Sequence, residues 1–158
     1  KICTSWRMDE TYIKVKGKWC YLYRAVDKSG NTIDFMLSKK RDLKAAKRFF
    51  CKAIGFKERP EKAAIDKSGS NNAALKSINK SLGKHDKIEI RQIKYLNNIV
   101  EQDHRFIKRI TKPMMGFKSF NSASVTLAGI ELHHMLRKHQ HVNSANSSVF
   151  EQFYALAA

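Results

Sequence analysis

The sequence predicts an α/β fold, and three observations carry that reading. Apolar and polar residues alternate from Ile2 to Ser38 with two breaks, the period turns helical after Ser38, and a strand, a helix and another strand follow between Ala63 and Ile93. Period two marks half-buried strands, recurrence at three and four marks helices, and two parallel strands need a crossover between them. A chain of 158 residues with 42% hydrophobic content fits one domain with a substantial core.

From Ile2 to Val15 the alternation puts Asp9, Thr11, Ile13 and Val15 on one face and Met8, Glu10, Tyr12 and Lys14 on the other. Lys16-Gly17-Lys18 is a tight turn into the aromatic and β-branched WCYLYRAVD, so the two strands form a hairpin. Lys28-Ser29-Gly30-Asn31 turns the chain again into TIDFMLS, completing an antiparallel meander. Leu43, Ala46, Phe49, Phe50, Ala53 and Ile54 recur at helical spacing, with Gly55 as a stop.

Pro60 precedes a short buried strand, Ala63 to Ile65, which ends at Asp66. Ser68-Gly69-Ser70-Asn71 punctuates before a helix with Ala74, Leu75 and Ile78 that closes near Gly83, and Ile88 to Ile93 is the parallel partner strand. The next helix opens near Asn97, with Ile99, Phe106, Ile107 and Ile110 on a buried stripe and Glu101, His104, Arg105 and Lys108 on a charged face. After Pro113 and Gly116 a last helix, about Ser122 to Arg137, is expected to pack on the sheet through Val125, Ala128, Leu132, Met135 and Leu136. Residues 1–140 are read as one catalytic domain and the Ser- and Asn-rich 141–158 as a loosely held tail.

The 31 Lys and Arg against 14 Asp and Glu give a formal charge of +17 distributed along the chain, which points to a polyanion as partner. No segment is long and apolar enough to cross a bilayer, and none pairs a broad apolar face with a lysine-only polar face, so a membrane is not the expected partner. Three widely spaced cysteines without a CxxC read as cytosolic thiols. The chain begins with Lys and shows no leader, so an upstream segment is expected.

Three acids stand in unusual places: Asp9 within an apolar strand, Asp66 at the end of a buried one, and Glu101 on the charged helix face. The spacing from Asp66 to Glu101 leaves room for a helix, a strand and a turn, so all three carboxylates can converge. Phosphodiester chemistry needs an activated oxygen nucleophile, a stabilised leaving oxygen and neutralised phosphate charge. Two divalent metals roughly 3.5 to 4 Å apart, held by carboxylates on rigid elements, supply all three. Lys108 lies two turns along the helix from Glu101, placed to meet a phosphate backbone.

These residues sit in ordered blocks. DET in the first strand, K-G-x-W-x-Y-L-Y-R-A-V-D, Asp66-Lys67, R-Q-x-K-Y-x-N-N-x-x-E-x-D-H-x-x-x-K-R and G-F-K-S-F together resemble the bacterial DDE insertion-sequence transposases. The chain is most similar to the replicative, cointegrate-forming insertion-sequence six group, over roughly Trp6 to Lys138. The resemblance implies an RNase H-like, five-stranded mixed sheet flanked by helices. It implies Asp9, Asp66 and Glu101 as a catalytic triad binding Mg²⁺, with Mn²⁺ as substitute, for cutting DNA at the element's 3′ ends and joining them to target DNA.

Lys108 matches the family's basic position near the site, and Arg105, His104, Lys67 and Arg109 complete the expected DNA-contacting set. A homodimer or higher multimer on DNA, in the bacterial cytoplasm at the nucleoid, is the implied setting. Two departures are local: Asn replaces a frequent aromatic in KSGSNNAAL, and Ala64 stands where Thr is common. A third concerns the ends: relatives carry an N-terminal helix-turn-helix that reads the element ends, and this sequence is expected to lack that recognition.

Simpler readings compete for the same residues. Asn98-x-x-Glu101 resembles a capping box, and Asp66-Lys67-Ser68-Gly69 is good turn chemistry. Asp9 is harder to explain structurally, because an uncompensated carboxylate in an apolar strand is costly. Asp103 reads as a partner for Arg105, Arg109 or a neighbouring basic residue, or as a fourth ligand, and His133, His134, His139 and His141 as a solvated basic helix end. Trp19, Tyr21 and Tyr23 form a row suited to packing under helices or to stacking bases. The rival functions are another RNase H-like nuclease or integrase core, and an inactive truncated DNA-binding remnant.

Overall fold

The structure is a computed structural model describing residues 3–56, 59–67, 69–140 and 147–157. Strands β1 (Ser5–Val15), β2 (Lys18–Asp27) and β3 (Thr32–Ser38) form the expected antiparallel meander, and β4 (Lys62–Ala64) and β5 (Glu89–Arg91) add in parallel to give the order β3-β2-β1-β4-β5. Ile2, read as the start of the first strand, lies outside the described residues. Helix α1 (Leu43–Phe56) joins β3 to β4, and α2 (Gly69–Lys80) is the crossover between β4 and β5. Helices α3 (Asn98–Thr111), α4 (Phe120–Arg137) and α5 (Val149–Ala157) follow.

Apolar residues cover both faces of the sheet. Trp6, Met8 and Tyr23 pack with Phe49 and Phe50 of α1 and Leu75 of α2 on one side. Ile13, Val15 and Leu22 pack with Ile107 of α3 and Leu127 and Ile130 of α4 on the other. The alternation of β1 therefore feeds two cores, one for each parity of the strand.

Lengths within the sheet create the opening that matters. Strand β1 spans 11 residues, but β4 has only 3 and pairs with Ser5, Trp6 and Arg7 alone. Among the described residues, no strand lies beside this edge of β1 beyond Arg7 until Phe117 bridges to Val15, with Lys16 N donating to Phe117 O at 2.8 Å and Phe117 N to Lys14 O at 2.8 Å. Gly116 makes that return possible: its φ is +103° and a Cβ there would lie 3.2 Å from Lys14 O. The start of α3 lies over the open stretch, where Asn97 Nδ2 donates to Met8 O at 3.4 Å.

Several boundaries and faces differ from expectation. Strand β5 covers three residues rather than Ile88 to Ile93, because it has only β4 to pair with. Helix α2 begins at Gly69, so Asn71, expected in a loop, is fully buried in its first turn. On α3 the residues buried outright are Val100, His104 and Ile107, while Ile99, Phe106 and Ile110 are half-buried. On α4 the covered face carries Ala123, Leu127, Ile130, Glu131 and Leu136, leaving Val125 65% exposed and Leu132 37% exposed. Within the segment expected to be a loose tail, Val149–Ala157 is helical, with Ser148 N donating to Glu151 Oε2 at 2.6 Å as a cap, and Gln152 buried.

The rotation of α4 has an electrostatic cause. Arg24, at the centre of β2, is wholly buried and donates to Glu131 from Nε at 2.5 Å and from Nη2 at 2.9 Å; Nη2 also donates to Asp103 Oδ2 of α3 at 2.6 Å. Asp103 also meets His134 Nε2 and Lys138 Nζ, each at 2.7 Å, and the His134 ring stacks on Phe106 at 3.9 Å. His134 is therefore part of an interior network rather than a solvated helix end, and Asp103 is a partner to Arg24 rather than to Arg105 or Arg109. His141 lies outside the described residues.

Two predictions follow from this packing. Leu127→Ala is expected to lower stability by about 2–5 kcal/mol and Val125→Ala by less than about 0.5 kcal/mol in urea unfolding; the reverse order would place the wrong face of α4 on the sheet. The second concerns acid. Burial alone would raise the Asp103 carboxyl, but the hydrogen bond with His134 and the charges of Arg24 and Lys138 outweigh it and hold the group well below the usual carboxylate range. A depressed folded pKa contributes stability above the unfolded value, near 4, that is lost as pH falls below it. Asp103→Asn should cost about 3 kcal/mol at neutral pH, and the gap to the native chain should narrow steadily below about pH 4. A gap independent of pH would remove Asp103 from the network.

Candidate active site

The open edge of β1 is where the acids gather. Asp9 lies within β1 two residues past its last pair with β4, and Asp66 lies two residues past the end of β4, so the two acids stand side by side where the parallel pairing of these strands stops. The carboxylates of Asp9, Glu10 and Asp66 offer oxygens that all lie within 4.8 Å of one another. Glu101, exposed on the first turn of α3, shares a pocket of about 320 Å³ with Asp9, Glu10, Thr11, His104 and Lys108. The capping-box alternative for Glu101 is not seen: Asn97 is the N-cap, and it makes no side-chain cap bond.

The charge balance among these acids is unfavourable. Burial raises the Asp9 carboxyl to about 7, and the neighbouring charges of Glu10, Asp66 and Glu101 add to the rise against a backbone hydrogen bond that lowers it. Near neutral pH the Asp9 carboxyl thus holds its proton far more firmly than an ordinary carboxyl. Hard oxygen donors crowded until one of them keeps its proton suit a divalent cation, which relieves the repulsion directly. The residues present fit a divalent-cation site.

Glu10 is the residue that sequence reasoning passed over. The alternation puts it on the opposite face of the strand from Asp9, yet its buried carboxylate is bound by Arg41 Nε at Oε1 and by Asn71 Nδ2 at Oε2, 3.0 Å away. The same two residues reach Asp66: Arg41 Nη2 lies 3.2 Å from Oδ2 and Asn71 Nδ2 3.3 Å from Oδ1. Glu10, Arg41 and Asn71 thus form a clamp that fixes the Asp66 carboxylate beside Asp9. The available signal was the second acid of DET together with an Asn in the first turn of the crossover helix.

The basic residues expected to contact DNA divide into groups. Arg105 and Lys108 line the carboxylate pocket and are exposed, with Lys67 exposed beside Asp66. Arg109 is exposed but lines neither this pocket nor the groove beside it. His104 is buried, with Nδ1 3.7 Å from Asp9 Oδ2. Burial and the charges of Arg24 and Lys108 lower its pKa to about 3, so it faces Asp9 as a neutral ring rather than offering a cation to solvent.

Residues 3–140 match the family described as a DDE domain, of the IS240 transposase type. The chain is 43% identical over 134 residues to the Staphylococcus aureus transposase for insertion sequence-like element IS431mec, covering 84% of this chain and 58% of that protein. The same figures hold for the Staphylococcus aureus transposase of IS257 in transposon Tn4003. The chain thus spans 58% of the length of these curated relatives. Among solved structures, the HTLV-2 integrase catalytic core domain in complex with magnesium superposes with a TM-score of 0.55 at 20% identity, covering 69% of this chain and 70% of that one. That likeness establishes the RNase H-like fold. The match over residues 3–140, the agreement with two transposases and the motif resemblance to the insertion-sequence six group converge: the chain belongs to the DDE transposase domain family.

Proposed function

We propose that this chain is the catalytic core of an insertion-sequence transposase, cutting DNA at the element's 3′ ends and transferring those ends to target DNA. The observation that carries the reading is the gathering of Asp9 with Asp66 and, across one pocket, with Glu101, where the Asp9 carboxyl is raised to about 7. Asp9, Asp66 and Glu101 would hold Mg²⁺, with Mn²⁺ able to replace it. When bound there, the metal supplies activation of the attacking oxygen and stabilisation of the departing one.

The chain's own residues account for the rest. Glu10, Arg41 and Asn71 keep Asp66 oriented, and a ligand held this way loses little freedom when the site fills. Neutral His104 shields the inner side of Asp9 without competing as a cation. Arg105 and Lys108 border the pocket where a phosphodiester would lie and would neutralise its charge, with Lys67 beside Asp66 in support. The proposal extends to residues 1–140 as the catalytic domain, to a homodimer or higher multimer on DNA, and to the bacterial cytoplasm at the nucleoid as its setting.

The test is strand transfer of a pre-cut element end into plasmid DNA by the full-length relative carrying the substitutions. Asp9→Ala, Asp66→Ala and Glu101→Ala should each reduce joining by at least about a hundredfold, with circular dichroism unchanged. Retained joining in any one variant removes that residue from the triad. Cleavage of an RNA strand in a hybrid, without joining of DNA ends, would favour a nuclease of the same fold.

A further inference from the structure

A groove of about 670 Å³ runs from the carboxylate pocket along the open edge of β1, and nothing in the triad chemistry uses it. Its walls carry Tyr12, Lys14, Trp19, Lys108, Lys112 and Met115. Among the described residues, no carboxylate lines it. Tyr12 and Lys108 line both spaces, so a chain whose phosphate sits at the carboxylates leads directly into the groove.

The aromatic residues here are exposed against the trend of their own strand. Tyr23 is fully buried under Phe49, whereas Trp19 is 58% exposed and Tyr12 51% exposed. The two rings meet at 6.1 Å and 76°, an edge contact that leaves about half of each open to solvent. Met115, held in the left-handed region at φ 56° by the return through Gly116, projects its thioether into solvent at 88% exposure. Large apolar groups clustered in solvent mark an interaction site, and three lysines among them specify its sign.

We propose that this groove is a subsite for unpaired nucleotides flanking the reacting phosphodiester, with a base stacked on Trp19 and Tyr12 and the backbone against Lys14, Lys108 and Lys112. Planar apolar faces interleaved with cations are what single-stranded nucleic acid requires. The volume is that of a small-ligand pocket, about 300–1,000 Å³, which admits bases but not a duplex. The proposal rests on the reading of the carboxylate pocket as a DNA site, and adds that the DNA leaves it unpaired along this edge.

Trp19 makes the test direct, because the chain's other tryptophan, Trp6, is buried and serves as an internal reference. The chain is titrated, in chelator, with a labelled oligothymidylate and with a labelled blunt duplex, following tryptophan emission and oligonucleotide anisotropy together. The single strand should quench emission, and Trp19→Ala should weaken its binding roughly tenfold or more while leaving the salt dependence and the duplex affinity as they were. Trp19→Phe keeps a ring and should retain most of the affinity; together with quenching in the native chain, it decides the matter if the alanine variant does not fold.

Binding of DNA with unchanged emission, and equal single-strand affinity in the native chain and the Trp19 variants, overturns the subsite and leaves the transposase reading standing. Equal loss of duplex and single-strand affinity also overturns it. Absence of binding to either DNA overturns both.

Discussion

A guanidinium with no access to water fixes the geometry on which the site depends. Arg24 sits opposite Asp9 in the β1–β2 register and joins Glu131 of α4 and Asp103 of α3. A buried cation left without its acids would be strongly destabilising, so both helices must present those carboxylates to the same point on the sheet. Asp103 follows Glu101 on α3 and is itself held by His134 and Lys138. Placing Asp103 at Arg24 therefore sets where Glu101, His104 and Lys108 stand relative to Asp9. The interior network positions the site although none of its members belongs to the proposed triad.

The second constraint is an imbalance of strand lengths. Because β4 pairs with only the first residues of β1, the rest of that edge lies open between Arg7 and the return at Phe117. The carboxylate pocket and the aromatic groove occupy successive parts of the same gap. A longer β4 would satisfy more backbone but close both. Asp9 illustrates the cost of keeping the gap, since its carboxyl is raised to about 7 by burial and by the acids around it.

Much of this was legible in the sequence, for identifiable reasons. The meander, the crossover unit and the helix after Asn97 are written in periods of two and of three to four, and the motif blocks single out Asp9, Asp66 and Glu101 as the proposed triad. What failed to show was any pairing that joins distant segments. The spacing of apolar residues in α4 points to Val125 and Leu132 and gives no weight to Glu131, whose buried ion pair turns the helix toward Leu127. His104 reads as a member of the charged face but lies beneath Asp9. Glu10 alternates away from Asp9, and only the approach of Arg41 and Asn71 from two other elements shows it as the anchor of Asp66. Periodicity reports which face is apolar; it carries no information about a polar group that is buried because its partner is.

The central claim, that Asp9 with Asp66 and Glu101 forms a divalent-metal centre, is tested most directly by anomalous diffraction from crystals of this chain soaked in Mn²⁺. The account predicts an anomalous peak within coordination distance of Asp9 and at least one of its two partners. A site that stays empty at saturating Mn²⁺, with and without bound DNA, would contradict it.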